Sequence, residues 1–299
     1  MQQFFDYSDE VKQAIQERKP LLALESTLIT HGLPAPNNLE TAFAVEKIVR
    51  EHGVIPATIA ILQGKIKIGL TAAELEMIAQ DKQALKASVR DIPFVISKKL
   101  NAGTTVAATL LCADYAGIKV FATGGIGGVH RGDDQDISAD LIELAKTPIA
   151  VVCSGAKAIL DLAKTLEFLE TYSIPIVGYC TDTLPAFYTA ETNYKLPARV
   201  DDLSSLVNYL KIHWQFGLSS GVLIANPISS TEEISAEIVE PAIEGALQSA
   251  KKNNIKGKAI TPYLLNEVAS VTKGKSLQAN ISLIKNNVKL GAMIARQLM

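Results

Sequence analysis

Three apolar stretches in the middle of the chain decide the fold: residues 118–125 read IKVFATGG, residues 148–155 read PIAVVCSG and residues 175–181 read PIVGYCT. Short apolar runs of this kind are typical of strands buried on both faces. The segments between them, at 139–147 and from Gly155 to about Tyr172, have the pattern of helices. Strands that alternate with helices predict an α/β fold, a three-layer helix–sheet–helix structure around a largely parallel or mixed sheet.

Outward from this stretch, the same patterns predict further elements. Toward the N-terminus we predict a helix at 8–18, a strand at 21–27, a helix at 39–52, a strand–turn–strand unit at 54–70, a helix begun by the capping box of Thr71 and Glu74, a strand at 93–100 and a helix opened by residues 101–105. Toward the C-terminus we predict a helix capped by Asp201 or Asp202, a strand at 221–228 and helices at 232–253, 262–273 and 276–298. No repeat or linker pattern is present, so we expect one domain over residues 1–299.

The composition is that of a globular protein without a strong charge bias. Of 299 residues, 48% are hydrophobic, and 29 basic residues against 31 acidic ones give a net charge of −2. Without a basic block, we expect neither nucleic acid nor a membrane surface as a partner. No run approaches the roughly 20 apolar residues of a membrane span, so we expect a cytoplasmic protein. Cys112, Cys153 and Cys180 are odd in number and have apolar neighbours, which predicts reduced core residues.

Polar residues follow several of the predicted strands. In an open α/β sheet, ligands bind beyond the carboxyl ends of the strands, so these residues are candidates for a site. They are Glu25-Ser26-Thr27 with His31, Thr123-Gly-Gly with His130, Ser154-Gly-Ala-Lys157, and Ala225-Asn226-Pro227.

Glu25 and Lys157 are the candidates for acid–base and covalent chemistry. Burial in an apolar strand raises the pKa of a carboxyl group, so Glu25 can donate a proton near neutrality; the alternative is a buried glutamate paired with Arg or Lys. The sequence places Lys157 in the first turn of a helix. There, the helix dipole and partial burial would favour the neutral amine that a Schiff-base nucleophile needs. The alternative is an ordinary exposed lysine.

The segment HRGDDQDISAD, residues 130–140, has four aspartates within eight residues. Such oxygen ligands suit Mg²⁺ or Mn²⁺ better than zinc, although a solvated acidic loop fits the pattern equally well. His130 could bind a metal, contact substrate, move a proton or make a structural hydrogen bond. The stretch NAGTTVAAT, residues 101–109, has the features of a phosphate cradle at a helix N-terminus. Asn280 and Asn287 share a helix face, toward either a polar pocket or solvent.

Seven stretches, spread in order over nearly the whole chain, carry a family resemblance. In them the chain resembles the pseudouridine-5′-phosphate glycosidase family, also called the indigoidine synthase A-like family. The stretches are ALESTLITHGLPAPNNLETA, TIAILQGKIKIGLTAAEL, NAGTTVAATLLCADYAGIKVFATGGIGGVHRG, DISADL, VVCSGAKAILDL, GVLIANPI and TPYLLNEV with SLQANISLIKNN.

The resemblance implies a lyase of pseudouridine catabolism that reversibly cleaves the C–C glycosidic bond of pseudouridine 5′-phosphate to uracil and ribose 5-phosphate. In the implied mechanism, the amine of Lys157 attacks C1′ of the sugar and Glu25 protonates the ring oxygen. Retro-aldol-like release of uracil then leaves an imine that water hydrolyses.

The resemblance also implies a metal, a substrate site and an assembly. It places Mn²⁺, or another divalent cation such as Mg²⁺, Fe²⁺ or Co²⁺, at Asp136. The loop before Asp136 departs from the family pattern, because it is short and carries two extra acids, Asp133 and Asp134, either of which is a competing candidate for the metal. It implies a homotrimer. The implied substrate-binding residues are Lys86, Val106, Thr123, His130, Ser138, Ala139, Asp140 and Asn280, with the phosphate near Lys86 and residues 103–106.

Two other functions remain open at this point. One is an enzyme of the same scaffold that acts on another uracil-like or phosphosugar compound. The other is a non-catalytic sugar-phosphate sensor, which would have no use for an acid, an amine nucleophile and a metal carboxylate together. Release of uracil separates the first alternative from the lyase, and turnover separates the second.

Overall fold

The computed structural model describes residues 2–132 and 135–299. The strands are β1 Phe5–Tyr7, β2 Leu21–Glu25, β3 Ile55–Leu62, β4 Lys65–Ile68, β5 Leu85–Ala87, β6 Ala102–Thr104, β7 Val120–Ala122, β8 Val129–His130, β9 Ala150–Cys153, β10 Leu160–Asp161, β11 Ile176–Tyr179, β12 Ala198–Val200 and β13 Val222–Ala225. The helices are α1 Asp9–Gln16, α2 Asn37–Glu51, α3 Ala72–Gln80, α4 Ile92–Ser97, α5 Val106–Tyr115, α6 Ala139–Leu144, α7 Leu162–Thr171, α8 Leu203–Gln215, α9 Ala236–Lys252, α10 Ile260–Val271 and α11 Lys275–Gln297, with a π-helical turn at Leu28–Gly32.

A large mixed sheet forms the middle layer. Its strand order is β1-β4-β3-β2-β7-β9-β13-β11-β12, and all pairings from β3 to β12 are parallel. Antiparallel neighbours join at β3, where β4 and β6 pair with it. The predicted α/β sheet is therefore confirmed.

Helices cover the sheet and bury its apolar strands. The long helix α11 packs on β2, β7 and β9 and contacts α2 and α8, whereas α5 packs on β2 and β3 and against α6. Close approach of α11 requires Gly291, because a Cβ there would lie 3.1 Å from both Ala122 and Leu22. The strands themselves are almost wholly apolar, as parallel strands buried on both faces are. No helix in the two described ranges combines the length and apolarity needed to cross a bilayer.

Parallel pairing brings the carboxyl ends of the central strands to one edge of the sheet. Glu25 ends β2, and Thr123, Ser154 and Asn226 directly follow β7, β9 and β13. A short antiparallel ribbon made of β8 and β10 belongs to the loops that follow β7 and β9. This edge therefore gathers the polar residues that the sequence singled out.

Most predicted elements are present, with ends shifted by a few residues, and the capping box of Thr71 and Glu74 has formed. The predicted strand at 93–100 is wrong, because these residues fall largely in helix α4. Pro93 in the first turn of α4 suits a helix start, a signal that outweighs the β-branched residues that follow.

Two further expectations also fail. No helix begins at Gly155, because its φ of +81° lies in the left-handed region and not in that of a right-handed helix. Helix α7 starts only at Leu162, where Asp161 accepts a capping hydrogen bond from the Lys164 N–H at 3.1 Å. Lys157 therefore lies in a turn, and the helix dipole invoked for it does not act there. Cys112 and Cys153 are buried free thiols as expected, but Cys180 is exposed.

Candidate active site

A cavity of about 690 Å³ opens at the carboxyl edge of the sheet. Residues from β2, the loops after β7 and β9, the start of α5 and α6, and helices α10 and α11 line it. Every catalytic, substrate-binding and metal-binding residue implied by the family resemblance lies on its wall, whereas the strand-end candidates Ser26, Ser154 and Asn226 do not line it. The implied residues are Glu25, Lys86, Val106, Thr123, His130, Asp136, Ser138, Ala139, Asp140, Lys157 and Asn280.

Glu25 lies at the end of β2 and faces this cavity. Its Oε1 accepts a hydrogen bond of 2.5 Å from the Thr123 hydroxyl. Burial raises the pKa of Glu25, while the positive charge of Lys157 and the Thr123 hydrogen bond act in the opposite direction. Within the described ranges no Arg or Lys forms an ion pair with it, so the structure favours the proton donor over the paired structural glutamate.

Lys157 lies on the loop that follows β9, against the glycine-rich loop that follows β7. Its backbone N–H donates to the Ile126 carbonyl at 3.0 Å, and its Nζ donates to the Gly125 carbonyl at 2.6 Å. A carbonyl accepts a hydrogen bond from an amine in either protonation state. The side chain is thus held in place without a carboxylate partner among the residues that the structure describes.

Two glycines let the glycine-rich loop after β7 pack tightly against its neighbours. A Cβ at Gly125 would lie 2.7 Å from the ring of Phe187, and a Cβ at Gly127 would lie well inside van der Waals contact with the Ser138 side chain. The loop therefore needs glycine at these positions for steric reasons, rather than for binding a dinucleotide.

Asp140 joins three parts of the wall. Its Oδ1 accepts from the Ala107 N–H at 2.9 Å, its Oδ2 accepts from the Gly127 N–H at 2.8 Å, and its own N–H donates to Ser138 Oγ at 3.2 Å. Both carboxylate oxygens are therefore already bound to backbone amides. The carboxylate also helps to raise the pKa of Glu25 by its negative charge.

The predicted phosphate cradle is only partly available. In the first turn of α5, Asp140 occupies the Ala107 N–H, and the Thr105 hydroxyl accepts from the Ala108 N–H at 3.4 Å. Helix N-termini bind anions through free amides, so fewer amides are free here than the sequence suggested. Val106 remains on the cavity wall.

The charged side chains of the cavity are of both signs: Lys86, Arg90, Lys146, Lys157 and Lys258 line it together with Glu25, Asp136, Asp140 and Glu143. Lys86 is half-buried, and burial followed by the nearby charge of Lys157 lowers its pKa. No hydrogen bond or ion pair holds the Lys86 Nζ within the described part of the chain. Lys146 pairs with Glu143 and Lys258 pairs with Asp91, whereas Lys86 is left open to an anionic ligand.

Helix α11 supplies a buried polar network behind this wall. Asn287, which is fully buried, donates to the Thr123 carbonyl at 2.8 Å and accepts from Asn226 Nδ2 at 2.9 Å. It also exchanges a hydrogen bond with the Ser154 hydroxyl at 3.1 Å. Asn280 lines the cavity itself. Both asparagines point inward, which excludes the alternative of a solvent-facing pair.

The candidate metal ligand Asp136 is partly exposed on the cavity wall. Its backbone carbonyl accepts from the His130 N–H at 2.9 Å, while its carboxylate has no hydrogen bond or ion pair with another described residue. Asp133 and Asp134 lie outside the described residues. Residues 2–132 and 135–299 contain no cluster of three or more His, Cys, Asp or Glu side chains arranged for a metal. One free carboxylate fits a cation such as Mg²⁺ or Mn²⁺ that keeps most of its water.

A comparison of family profiles covers almost the whole chain. The profile described as "Indigoidine synthase A like protein" matches residues 10–297. The chain belongs to the indigoidine synthase A-like family.

Relatives of this family member carry a more specific name. It is 56% identical over 300 residues to a pseudouridine-5′-phosphate glycosidase of Caldanaerobacter subterraneus subsp. tengcongensis, an overlap of 100% of this chain and 98% of the relative. It is 53% identical over 300 residues to one of Geobacillus kaustophilus, an overlap of 100% of both chains.

Solved structures confirm the indigoidine synthase A-like fold. An indigoidine synthase A-like protein of Thermotoga maritima superposes with a TM-score of 0.91 at 33% identity, over 99% of this chain and 96% of that one. The prealnumycin C-glycosynthase AlnA, solved in complex with ribulose 5-phosphate, superposes with a TM-score of 0.90 at 40% identity, over 99% and 97%.

Two further residues line the cavity: His31, which the sequence had named only as a strand-end candidate, and Lys258, which it had not named. His31, in the π-helical turn, has its Nδ1 2.7 Å from the Thr30 hydroxyl, and burial lowers its pKa. Lys258 approaches from the segment before α10, where its Nζ donates to the Lys86 carbonyl at 3.2 Å and pairs with Asp91 at 2.7 Å. Local sequence patterns give no signal for a contact between residues 172 positions apart.

Proposed function

We propose that the chain is a pseudouridine-5′-phosphate glycosidase, which reversibly cleaves the bond between C1′ of ribose 5-phosphate and C5 of uracil. The observation that carries the proposal is the cavity in which Glu25, an acid of raised pKa, and the amine of Lys157 face the same space. Full-length relatives at 53–56% identity bear this name. An acid and an amine together suit sugar-ring opening and imine formation better than simple binding.

In the proposed reaction, Glu25 protonates the ring oxygen while the Lys157 amine forms a bond to C1′, and the C1′–O bond breaks. The nitrogen lone pair then forms the C1′=N bond and expels uracil as a carbanion at C5, which takes a proton. Water hydrolyses the imine to ribose 5-phosphate and restores both side chains. This mechanism needs an acid that stays protonated near neutrality. Burial raises the pKa of Glu25 and so favours its protonated form.

The open amine of Lys86 supports a phosphorylated substrate. Lys86 has no carboxylate partner of its own among the described residues, and Arg90 and Lys258 lie on the same wall. Binding energy from a phosphate group remote from the reacting bond can hold the sugar in the reactive position. We therefore expect kcat/KM to be much lower for free pseudouridine, and equal values for the two compounds would contradict this part of the proposal.

We include a divalent metal, preferably Mn²⁺, at Asp136. When bound there, it would polarise oxygen atoms of the substrate as a Lewis acid. For Asp136→Asn we expect the rise in Tm that Mn²⁺ gives the wild-type protein to shrink or vanish, because an amide oxygen is a weaker ligand for hard cations than a carboxylate. A thermal shift titration with MnCl₂ checks this, with Asp114→Asn as a control on a different, exposed ion pair. An unchanged Mn²⁺ response in D136N would remove Asp136 as the ligand.

We also propose that the protein is a homotrimer and that it is located in the cytoplasm. Ile137 and Ile142 are 38% and 44% exposed beside the cavity, and a partner subunit could cover such apolar side chains. The three free cysteines fit a reducing compartment. Light scattering of the purified protein measures the assembly, and a monomeric mass would contradict the trimer.

The decisive experiment traps the imine. The protein is incubated with pseudouridine 5′-phosphate, Mn²⁺ and borohydride, digested, and searched for a ribose-phosphate adduct by mass spectrometry, with uracil measured in a sample without borohydride. We expect uracil release and an adduct on Lys157. Lys157→Ala should lose both, and Lys119→Ala, at an exposed lysine, should keep both. Uracil release with no adduct on Lys157 would overturn the nucleophile, and no uracil release would overturn the substrate.

A second candidate is an enzyme of the same scaffold with another uracil-like or phosphosugar substrate. A specific observation favours this second candidate. The chain is 40% identical to a C-glycosynthase, which has a different activity on the same fold. A screen for C-ribosylated products distinguishes the two, because the glycosidase alone releases uracil. The non-catalytic sensor would bind sugar phosphate but show no turnover in either assay.

A further inference from the structure

Arg131 lies directly after strand β8 and does not line the cavity, yet it contacts the segment that carries Lys157. Its Nε donates to the Leu160 carbonyl at 3.0 Å, and its Nη2 donates to the Ala158 carbonyl at 2.8 Å. The same guanidinium binds the carboxylate of Glu240 in α9, at 2.7 Å through Nη1 and 3.2 Å through Nη2. One side chain thus joins two carbonyls and one carboxylate.

The two carbonyls belong to residues that follow Lys157 by one and three positions. On its other side, Lys157 is held by its N–H to the Ile126 carbonyl and by its Nζ to the Gly125 carbonyl. The segment from Lys157 to Leu160 is therefore fixed to the glycine-rich loop at one end and to Arg131 at the other. Besides the guanidinium, the short β8–β10 pairing and the burial of Ala158, Ile159 and Leu160 in the core hold this second end.

The chemistry of the contact requires arginine. A planar guanidinium with five N–H donors can serve two carbonyls and a carboxylate at once, whereas an ammonium group on a flexible stem cannot span them. The Arg131 side chain is only 26% exposed and Glu240 is 43% exposed. Exposed ion pairs contribute little, so the bonds to the carbonyls matter more than the charge of Glu240.

Through Glu240 the contact reaches the helices beside the cavity. Helix α9 packs along α10, and α10 contributes Thr261 and Leu265 to the cavity wall. Arg131 thus binds the segment that carries Lys157 directly. Through Glu240 and α9 it is also linked to helix α10 on the cavity wall.

We propose that Arg131 is a positioning residue that holds Lys157 in the geometry for attack on the sugar and couples the Lys157 segment to α9. The role given to Lys157 rests on the proposed function. The coupling of the two segments does not rest on it, because it concerns only the contacts of Arg131 with two backbone carbonyls and the Glu240 carboxylate.

The test compares Arg131→Lys, Glu240→Gln and a control, Arg199→Lys, whose guanidinium holds two aspartates on the exposed surface. Two quantities are measured on the full chain: steady-state kinetics with pseudouridine 5′-phosphate, and amide hydrogen exchange of peptides covering residues 155–161, 236–252 and 55–62. The exchange measurement needs no substrate, so it decides on the contact even if the proposed reaction fails. Tm is recorded for every variant.

For R131K we expect kcat to fall by between about tenfold and a hundredfold, as for other small misplacements of reacting groups, with KM changed less. Exchange should rise in 155–161 and 236–252 but not in 55–62, which separates a local effect from general loss of stability. For E240Q we expect faster exchange in 236–252 and nearly unchanged kcat, and for R199K no change in either quantity. Wild-type exchange of residues 155–161 in R131K, or a loss of kcat in E240Q as large as in R131K, would overturn the proposal.

Discussion

Two glutamates in this chain each accept a short hydrogen bond from a threonine hydroxyl but differ in their surroundings. Glu25 accepts from the Thr123 hydroxyl at 2.5 Å, and Glu46 accepts from the Thr58 hydroxyl at 2.6 Å. Burial raises the pKa of both carboxyl groups. Glu46, however, also binds Arg50 at 3.0 Å between helix α2 and strand β3, whereas Glu25 ends its strand and faces the cavity.

The two carboxyl groups differ in what surrounds them. Around Glu46 the fold supplies a cation from the same helix, Arg50, and the Thr58 hydroxyl of β3 ties this glutamate to the sheet. Around Glu25 the fold leaves a space that Lys157 and Lys86 also face. A raised pKa thus marks a functional group only where geometry leaves the group free to meet a ligand.

The largest expected effect separates the two glutamates by activity. For Glu25→Gln we expect kcat/KM to fall by about 10²- to 10⁴-fold, the usual contribution of a general acid, with little loss of Tm. For Glu46→Gln we expect the catalytic constants of the folded enzyme to stay unchanged. Steady-state uracil release and thermal unfolding of both variants give the answer. Equal losses of activity would show that the comparison between them is false.

A second test uses the stability of the Glu46 variant. Because the pKa of Glu46 is raised from its ordinary value of 4.5, its contribution to stability is complete below pH 4.5 and is lost as the pH rises through the folded-state value. Glutamine cannot ionise, so the stability of E46Q relative to the wild type should improve as the pH rises above 4.5, by at most about 1.4 kcal/mol per pH unit.

Urea unfolding of both proteins at a series of pH values measures this difference. A gap between the two unfolding free energies that stays constant from pH 4 to pH 8 would contradict the assigned direction of the shift.

The smallest expected effect concerns Thr123 and Thr58, the two threonines that donate to these glutamates. The Thr123 hydrogen bond stabilises the ionised form of Glu25, so Thr123→Val should raise the pKa of Glu25 further. In the proposed mechanism Glu25 acts in its protonated form, so the alkaline limb of the pH profile of kcat/KM should move to higher pH. Thr58→Val changes the matching bond to Glu46 and should leave the limb where it is. A limb that moves to lower pH in T123V would show that Glu25 is not the acid that titrates there.

The pattern of the sequence was sufficient to predict the sheet and the location of the site. Apolar runs ending in polar residues identified Glu25, Thr123 and the Lys157 loop, because parallel strands place their carboxyl ends together. The apolar neighbours of Glu25 also predicted the direction of its pKa shift correctly.

Other features depend on contacts between distant residues and could not be predicted. The strand predicted at 93–100 is a helix, and the capping residue Asp161 rather than Gly155 sets the start of α7. Lys157 was identified as a candidate and is partly buried as expected, but the helix dipole given as the other reason was wrong, since a turn and the Gly125 carbonyl hold it. Arg131 meets Glu240 across 109 residues, a separation at which local patterns carry no signal.

The position of Asn287 has a consequence for synthesis on the ribosome. Its hydrogen-bond partners Thr123 and Ser154 precede it by 164 and 133 residues, so they leave the ribosome long before it does. Until helix α11 follows, the face of the sheet around Leu22 and Ala122 lacks the helix that covers it. A nascent chain halted before residue 275 would therefore expose an apolar surface to chaperones and to other nascent chains, and its strand-end carbonyls would lack their amide donor.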